Sequence, residues 1–228
     1  MWKFIAGLAG VVLGTSACLA SDLTPLETRW LKGAWPVVMF AKSAGLPLDI
    51  TVQPQPTPGL APLAMAYVDG RCKLVLSMRG NDEAQASLDR IEPGLLDEAI
   101  ELMAAHELGH CKRYLDGNWQ QLPKGFRSSE PASARPEQRP DQPDVKAQRR
   151  EEGYADLVGL AWIQRQHPSK YARLHAWLSA ERSRDLVPGS EHDTLAWVRL
   201  ASDGKPLDRP SIFSGAAELW SAALTPGD

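Results

Sequence analysis

The stretch Ala-Ala-His-Glu-Leu-Gly-His-Cys, residues 104–111, decides the fold of this 228-residue chain, because the other elements can be arranged as its support. It contains the pattern His-Glu-x-x-His. On a helix, residues four apart lie on one face about one turn apart, so His106 and His110 can present two imidazoles to one metal ion. Glu107 would lie beside that ion, where its carboxylate can take a proton from water. The alternative is a surface helix that carries two ordinary histidines.

A second motif, Glu-Gly-Tyr-Ala-Asp at residues 152–156, lies downstream in a segment whose apolar residues recur at helical spacing. Glu152 and Asp156 are four residues apart and therefore share a helix face. Glu152 can complete a His/His/Glu set of zinc ligands that leaves the fourth position for water. Asp156 can accept a hydrogen bond from a ligand imidazole and fix its tautomer. Together the two motifs predict a catalytic-type site with one zinc ion per chain.

The two motifs in this order resemble those of the gluzincin metallopeptidases, in particular their M48-like branch, over less than half of the chain. The resemblance implies an α+β, zincin-like fold that is mainly helical, with a small sheet or hairpin packed on the active-site helix. It implies that the strand at residues 72–78 is the sheet edge along which an extended peptide lies. It also makes His192 a candidate donor to the tetrahedral oxyanion, although Asp193 stands where the family usually has proline. The alternative for His192 is an ordinary loop histidine.

Residues 1–20 are arranged as a signal peptide, with a short basic start, an apolar run and small residues around possible cleavage sites at Ala17 and Ala20. The apolar run is short for a membrane span. Cys18 leaves open a lipoprotein signal, in which case a lipid at this residue would be the only membrane attachment. The sequence therefore predicts an exported protein that is periplasmic or envelope-associated in a bacterium, or secreted.

Export allows a disulfide between the two remaining cysteines, Cys72 and Cys111. Cys72 has the strand parity of core residues, and Cys111 lies on the apolar stripe of the first motif helix. We therefore expect the two to be joined. Two buried free thiols are the alternative.

The overall composition, with 43% hydrophobic and 23% charged residues, is that of a globular protein with one core. A net charge of −3 gives no indication of nucleic-acid binding. Residues 21–228 are therefore predicted to form one metallopeptidase domain, with a protein or peptide as its substrate and no nucleic-acid partner.

The apolar patterns predict the elements around the two motifs. Helices are expected at residues 23–45 (two short helices, or one kinked at Pro36), from near Pro93 to about 117, at 169–186 and at 216–223. Strands are expected at 49–52, 64–68 and 72–78, the last two as a hairpin around Asp69-Gly70. Residues 81–91 are expected to be a connection, and Tyr154, His167 and His175 to be structural.

Residues 120–148 contain five prolines and few large apolar side chains. Such a segment buries too little apolar surface to order itself, so a flexible loop is expected. It joins the two motif helices, and if it were ordered it would be a lid or a partner-binding arm.

Three hypotheses for the function follow from the motifs. The first is a zinc-dependent endopeptidase in which Glu107 activates the water and then passes the proton to the leaving amine. The second is an envelope binding or assembly module built on the same zinc site, and the third is a zinc amide hydrolase that acts on cell-wall peptide. Glu107 favours an enzyme, because a binding site needs no carboxylate there. The sequence does not separate the first hypothesis from the third.

Overall fold

A computed structural model describes residues 22–54, 61–124, 126, 144–184 and 186–225, which form a mainly helical α+β fold with a three-stranded sheet. The helices are α1 (Pro25–Ser43), α2 (Asp82–Asp89), α3 (Leu96–Leu115), α4 (Val145–Gln166), α5 (Tyr171–Ser183), α6 (Leu195–Leu200) and α7 (Ile212–Ala223). The strands are β1 (Leu48–Pro54), β2 (Leu63–Val68) and β3 (Arg71–Arg79). The predicted α+β class is confirmed. Among the described residues, no helix is long and apolar enough to cross a membrane.

Helix α1 begins with a reciprocal cap and continues through its internal proline. The Thr24 hydroxyl accepts the Glu27 amide at 3.1 Å, and the Glu27 carboxylate accepts the Thr24 amide at 2.7 Å. Arg79 of β3 donates to the same carboxylate oxygen at 2.8 Å, which links the helix start to the sheet. The helix is continuous through Pro36, so the two-helix alternative is wrong.

The sheet has the order β1-β3-β2, with β1 parallel and β2 antiparallel to β3. Asp69 and Gly70 both have positive φ and form the tight turn between β2 and β3, as predicted. Strand β3 is central and paired on both sides. The expectation that residues 72–78 form a free sheet edge is therefore wrong. The physical reason is that β1 pairs in parallel with β3, so β1 and β2 are the two edge strands of the sheet among the described residues.

The structure differs from the prediction at residues 82–89 and at the start of α4, among other helix bounds. Residues 82–89, expected to be a connection, form α2, whose start is capped by Asn81 accepting the Glu83 amide at 3.1 Å. Helix α4 begins at Val145, where Asp144 accepts the Ala147 amide at 3.0 Å, so the last residues of the predicted loop at 120–148 are helical. Most of that loop, and the predicted leader at residues 1–20, lie outside the described residues.

Helices α3 and α4 pack closely because glycines lie at their contact. A Cβ added to Gly109 of α3 would lie 3.0 Å from the Ala155 Cα of α4. A Cβ added to Gly159 of α4 would lie 2.9 Å from the Leu102 carbonyl oxygen of α3. The backbones can approach this closely only because both positions lack a side chain. This contact brings the two sequence motifs face to face.

A cysteine pair joins the sheet to α3. The sulfurs of Cys72 and Cys111 are 2.06 Å apart and the Cα atoms 5.7 Å apart, so the predicted pair lies at disulfide distance. Cys72 shares its strand face with Leu74 and Leu76, and all of these side chains are buried, as the strand parity predicts. Strands β2 and β3 thus pack against the helix that carries the first motif.

Candidate metal centre

His106, His110 and Glu152 form a group that could hold a metal ion. The Nε2 atoms of the two histidines are 3.2 Å apart. His106 Nε2 lies 3.3 Å from Oε2 of Glu152, and His110 Nε2 lies 3.3 Å from Oε1 of the same carboxylate. Around a tetrahedral ion with bonds of about 2.0–2.1 Å, neighbouring ligand atoms are about 3.3–3.4 Å apart. The two imidazoles and the carboxylate are therefore close enough together to hold one ion. The group brings together all three predicted ligands.

The electrostatics of the group also fit a cation. Burial lowers the pKa of His106, but hydrogen bonds to Asp156 and Glu152 outweigh this effect and raise the pKa to about 10. Burial likewise opposes ionisation of Glu152, yet the bonds to His106 and His110 hold its pKa well below the ordinary range. Both shifts mean that the group holds a positive charge beside its carboxylates. A metal cation can supply that charge in place of the proton.

Asp156 orients the first histidine, as the spacing of the second motif predicts. Its carboxylate is fully buried and lies 2.9 Å from the His106 Nδ1. If Nδ1 carries the proton of a neutral imidazole, the Nε2 lone pair is free for a metal ion, which is the tautomer that a ligand needs. His110 lacks this support, since no hydrogen-bond partner of its buried Nδ1 is found in the part of the chain that the structure describes.

Two residues that the sequence analysis missed complete the environment of Asp156. Arg182 of α5 donates to it from Nε at 2.8 Å and from Nη2 at 2.6 Å, and the buried Thr194 hydroxyl donates at 2.5 Å. Burial raises the pKa of Asp156, but the charge of Arg182 and these bonds outweigh it and lower the pKa below the usual range. Arg182 Nη2 also lies 3.6 Å from Glu152. Neither residue belongs to a motif, so no sequence signal indicated it.

Glu107 faces the same cavity as the ligands, which has a volume of about 430 Å³. Its side chain is half-buried, and no hydrogen bond or ion pair of Glu107 is found among the described residues. Burial raises the pKa of its carboxyl, and the charges of His106 and His110 oppose this rise. Within the part of the chain that the structure describes, Glu107 is therefore a carboxylate without a hydrogen-bond or ion-pair partner, next to the group that could hold a metal ion.

His192 is among the residues that line this cavity. Its side chain is 61% exposed, and its nearest acidic neighbour is Glu191, at 3.9 Å.

The three residues expected to be structural do have structural contacts. Tyr154 is buried against Trp220, His167 contacts Glu101 at 2.9 Å, and His175 contacts the Val198 carbonyl oxygen at 2.8 Å.

The rest of the cavity lining is largely apolar and aromatic. Leu63 and Met65 of the edge strand β2 contribute one part of it, and Tyr114 and Trp119 contribute another. The rings of Tyr114 and Trp119 are stacked, with centroids 4.0 Å apart. A cleft that combines a group able to hold a metal ion, a carboxylate without a partner among the described residues and an apolar lining has the general features of a small-molecule or peptide site. No protein-family model, curated protein or solved structure matches the chain.

Proposed function

We propose that this chain is an exported, zinc-dependent metallopeptidase of zincin-like architecture, with one zinc ion held by His106, His110 and Glu152. The observation that carries the proposal is the convergence of the two imidazoles, 3.2 Å apart, with each Nε2 3.3 Å from one or the other oxygen of the Glu152 carboxylate, while Glu107 lines the same cavity. Two imidazoles and one carboxylate are a donor set typical of catalytic zinc, because they leave one position open.

Zinc, when bound, supplies Lewis-acid activation of water and of the scissile carbonyl. The Glu107 carboxylate accepts a proton from the attacking water as the water oxygen bonds to the carbonyl carbon. It then delivers that proton to the leaving amine nitrogen as the C–N bond breaks. The absence of a structural partner for Glu107 among the described residues favours this role over that of a binding module, because a binding site has no use for an unpartnered carboxylate there.

Two further side chains support the reaction in this proposal. Arg182 is held by Asp156 and lies 3.6 Å from Glu152, where it keeps a fixed positive charge at the cavity wall. His192, which lines the cavity, is the candidate donor to the oxyanion once a substrate is bound. Because its side chain is exposed and not fixed by Glu191, this role requires the imidazole to turn inward when substrate binds.

The substrate of this proposal is a polypeptide held in extended form along the free edge of β2. Residues 61–65 line the cavity, and the side of β2 away from β3 has no strand partner among the described residues. Main-chain pairing with such an edge holds a peptide without selecting its sequence.

The Cys72–Cys111 pair lies at disulfide distance. A disulfide is compatible with the oxidising compartment to which an exported protein is delivered.

The test combines metal content with hydrolysis. The chain without residues 1–20 should contain one zinc ion by elemental analysis and should cleave casein or a quenched fluorescent peptide. Glu107→Gln should keep the zinc and lose turnover by about 10²–10⁴-fold, because it removes the base and not a ligand. Glu98→Gln, on the same helix but bound to Lys170, is the matched control and should behave as wild type.

Two results would contradict the proposal. Full zinc occupancy in a His106→Ala, Glu152→Ala double variant would exclude the ligand set. Unchanged turnover in Glu107→Gln would exclude the mechanism. Zinc binding without cleavage of any peptide, tested alongside cell-wall peptide, would favour the amide hydrolase or the binding module instead.

A further inference from the structure

An aromatic stack leads from the sheet edge to a metal-ligand candidate. Tyr114 lies one helical turn after His110 on α3, on the same face. Tyr67 of β2 stacks on Tyr114 with centroids 5.3 Å apart and planes 1° from parallel, and Trp119 stacks on Tyr114 at 4.0 Å and 10°. At one end of the stack, the Trp119 ring lies next to the ring of the candidate ligand His110, with centroids 5.6 Å apart and planes at 73°.

These rings are not ordinary core residues. Tyr67 is 41% exposed, Tyr114 and Trp119 are half-buried, and the last two line the cavity. A stack of aromatic rings in a partly open cleft leaves apolar surface that a ligand can cover. Because the stack lies next to His110, this apolar surface is adjacent to the candidate metal centre.

The loop that carries Trp119 is held by a buried ion pair. Arg113 of α3 pairs with Glu151 of α4 at 2.7 Å, and both side chains are largely buried. The Glu151 carboxylate accepts the Gln120 amide at 2.8 Å, and Arg113 donates to the Gln121 carbonyl oxygen at 2.7 Å. Gln120 has φ of 61°, an unfavourable backbone conformation for a residue with a side chain. The chain thus accepts local strain at the residue after Trp119.

We infer that Tyr114 and Trp119 form a specificity subsite for a large apolar side chain, preferably aromatic, of a polypeptide substrate, at a position next to the scissile bond. This inference rests on the proposed function. Leu63, Met65 and Met103 line the same cavity, so it also contains aliphatic and thioether groups beside the two rings. Such a pocket stabilises a flat apolar ring and disfavours a charged side chain, which would lose its hydration without gaining a partner.

The test compares peptides that differ only at the residues flanking the cleaved bond, with phenylalanine, leucine, alanine or aspartate there. Wild type should cleave the phenylalanine peptide with a kcat/KM at least about tenfold above that of the alanine peptide. Trp119→Ala should reduce this ratio by roughly tenfold, whereas Trp119→Phe, which keeps a ring, should retain most of it. Trp35→Ala, an exposed tryptophan on α1, is the matched control and should leave the ratio unchanged.

The outcomes separate the subsite from the proposed function. An unchanged phenylalanine-to-alanine ratio in a Trp119→Ala protein that still binds zinc would overturn the subsite. If Trp119→Ala fails to fold, Tyr114→Leu provides the same comparison from the neighbouring ring. If wild type cleaves none of the peptides, the proposed function fails. Calorimetric binding of the uncleaved phenylalanine and alanine peptides to zinc-loaded Glu107→Gln then decides the subsite, and equal affinities would overturn it.

Discussion

Replacing Asp156 with alanine should destabilise the whole protein and not only the metal centre. The carboxylate is fully buried and accepts bonds from His106, Arg182 and Thr194. Its removal leaves the Arg182 guanidinium, whose side chain is only 17% exposed, without its main counter-charge. Breaking a buried pair from one side costs about 3–5 kcal/mol. That loss is a large fraction of a typical free energy of unfolding of about 5–15 kcal/mol.

The same variant should bind zinc about 10–100-fold more weakly, because nothing then fixes the tautomer and orientation of the His106 imidazole. The two effects can be measured separately. The free energy of unfolding is obtained from urea denaturation of the metal-free protein with its disulfide intact, followed by far-ultraviolet circular dichroism. The zinc affinity is obtained by competition with a chelator under native conditions.

Asp49→Ala is the control for this experiment, since Asp49 forms an exposed pair with Arg71 and its loss should be hard to detect. Asp156→Asn keeps the side-chain volume but not the charge, so it should be destabilised for the same electrostatic reason. An Asp156→Ala protein whose free energy of unfolding stays within about 1 kcal/mol of wild type would refute the buried-pair reasoning.

Three further predictions concern the helix contact, the start of α1 and the cysteines. Gly109→Ala should destabilise the protein and weaken zinc binding, because the added Cβ would lie 3.0 Å from the Ala155 Cα. Gly94→Ala is the control and should have no such effect, since a Cβ there meets nothing within 4 Å. Equal urea midpoints of unfolding for the two variants would contradict this prediction. For Glu27, burial raises the pKa but bonds to Thr24 and Arg79 lower it below the ordinary 4.5, so its contribution to stability is present above that pH and lost on acidification. The difference in unfolding free energy between wild type and Glu27→Gln should therefore shrink between about pH 7 and about pH 3, and a constant difference would count against it. Thiol titration of the denatured, unreduced protein should find neither Cys72 nor Cys111 free, and two free thiols would exclude the bridge.

Local periodicity was sufficient to predict the metal group. His106 and His110 share a face through helical spacing alone, and Glu152 and Asp156 do the same on the second helix. The pairing of the two helices followed from the predicted zinc site, because a single ion would need ligands from both. Strand parity likewise predicted that Cys72 faces the core, and thus that it can reach Cys111.

Features that depend on distant parts of the chain could not be predicted in this way. The order of the strands depends on where β1 pairs, which no local pattern in residues 72–78 records. Arg182 looks like any charged residue near a helix end until the fold buries it against Asp156. Helix α2 was missed because only Ala84 and Leu88 of its eight residues are buried, too few to produce a clear helical stripe.

The residues that line the cavity come from different parts of the chain. The group that could hold a metal ion comes from α3 and α4 alone, whereas residues 61–65, in and just before β2, line the same cavity. Substitutions in residues 61–65 can therefore alter the cavity lining without altering any candidate ligand. In the proposed metallopeptidase, evolution could change substrate selectivity there while the zinc ligands stay the same. For engineering of that activity, the β2 segment is the one to randomise when a new substrate preference is sought.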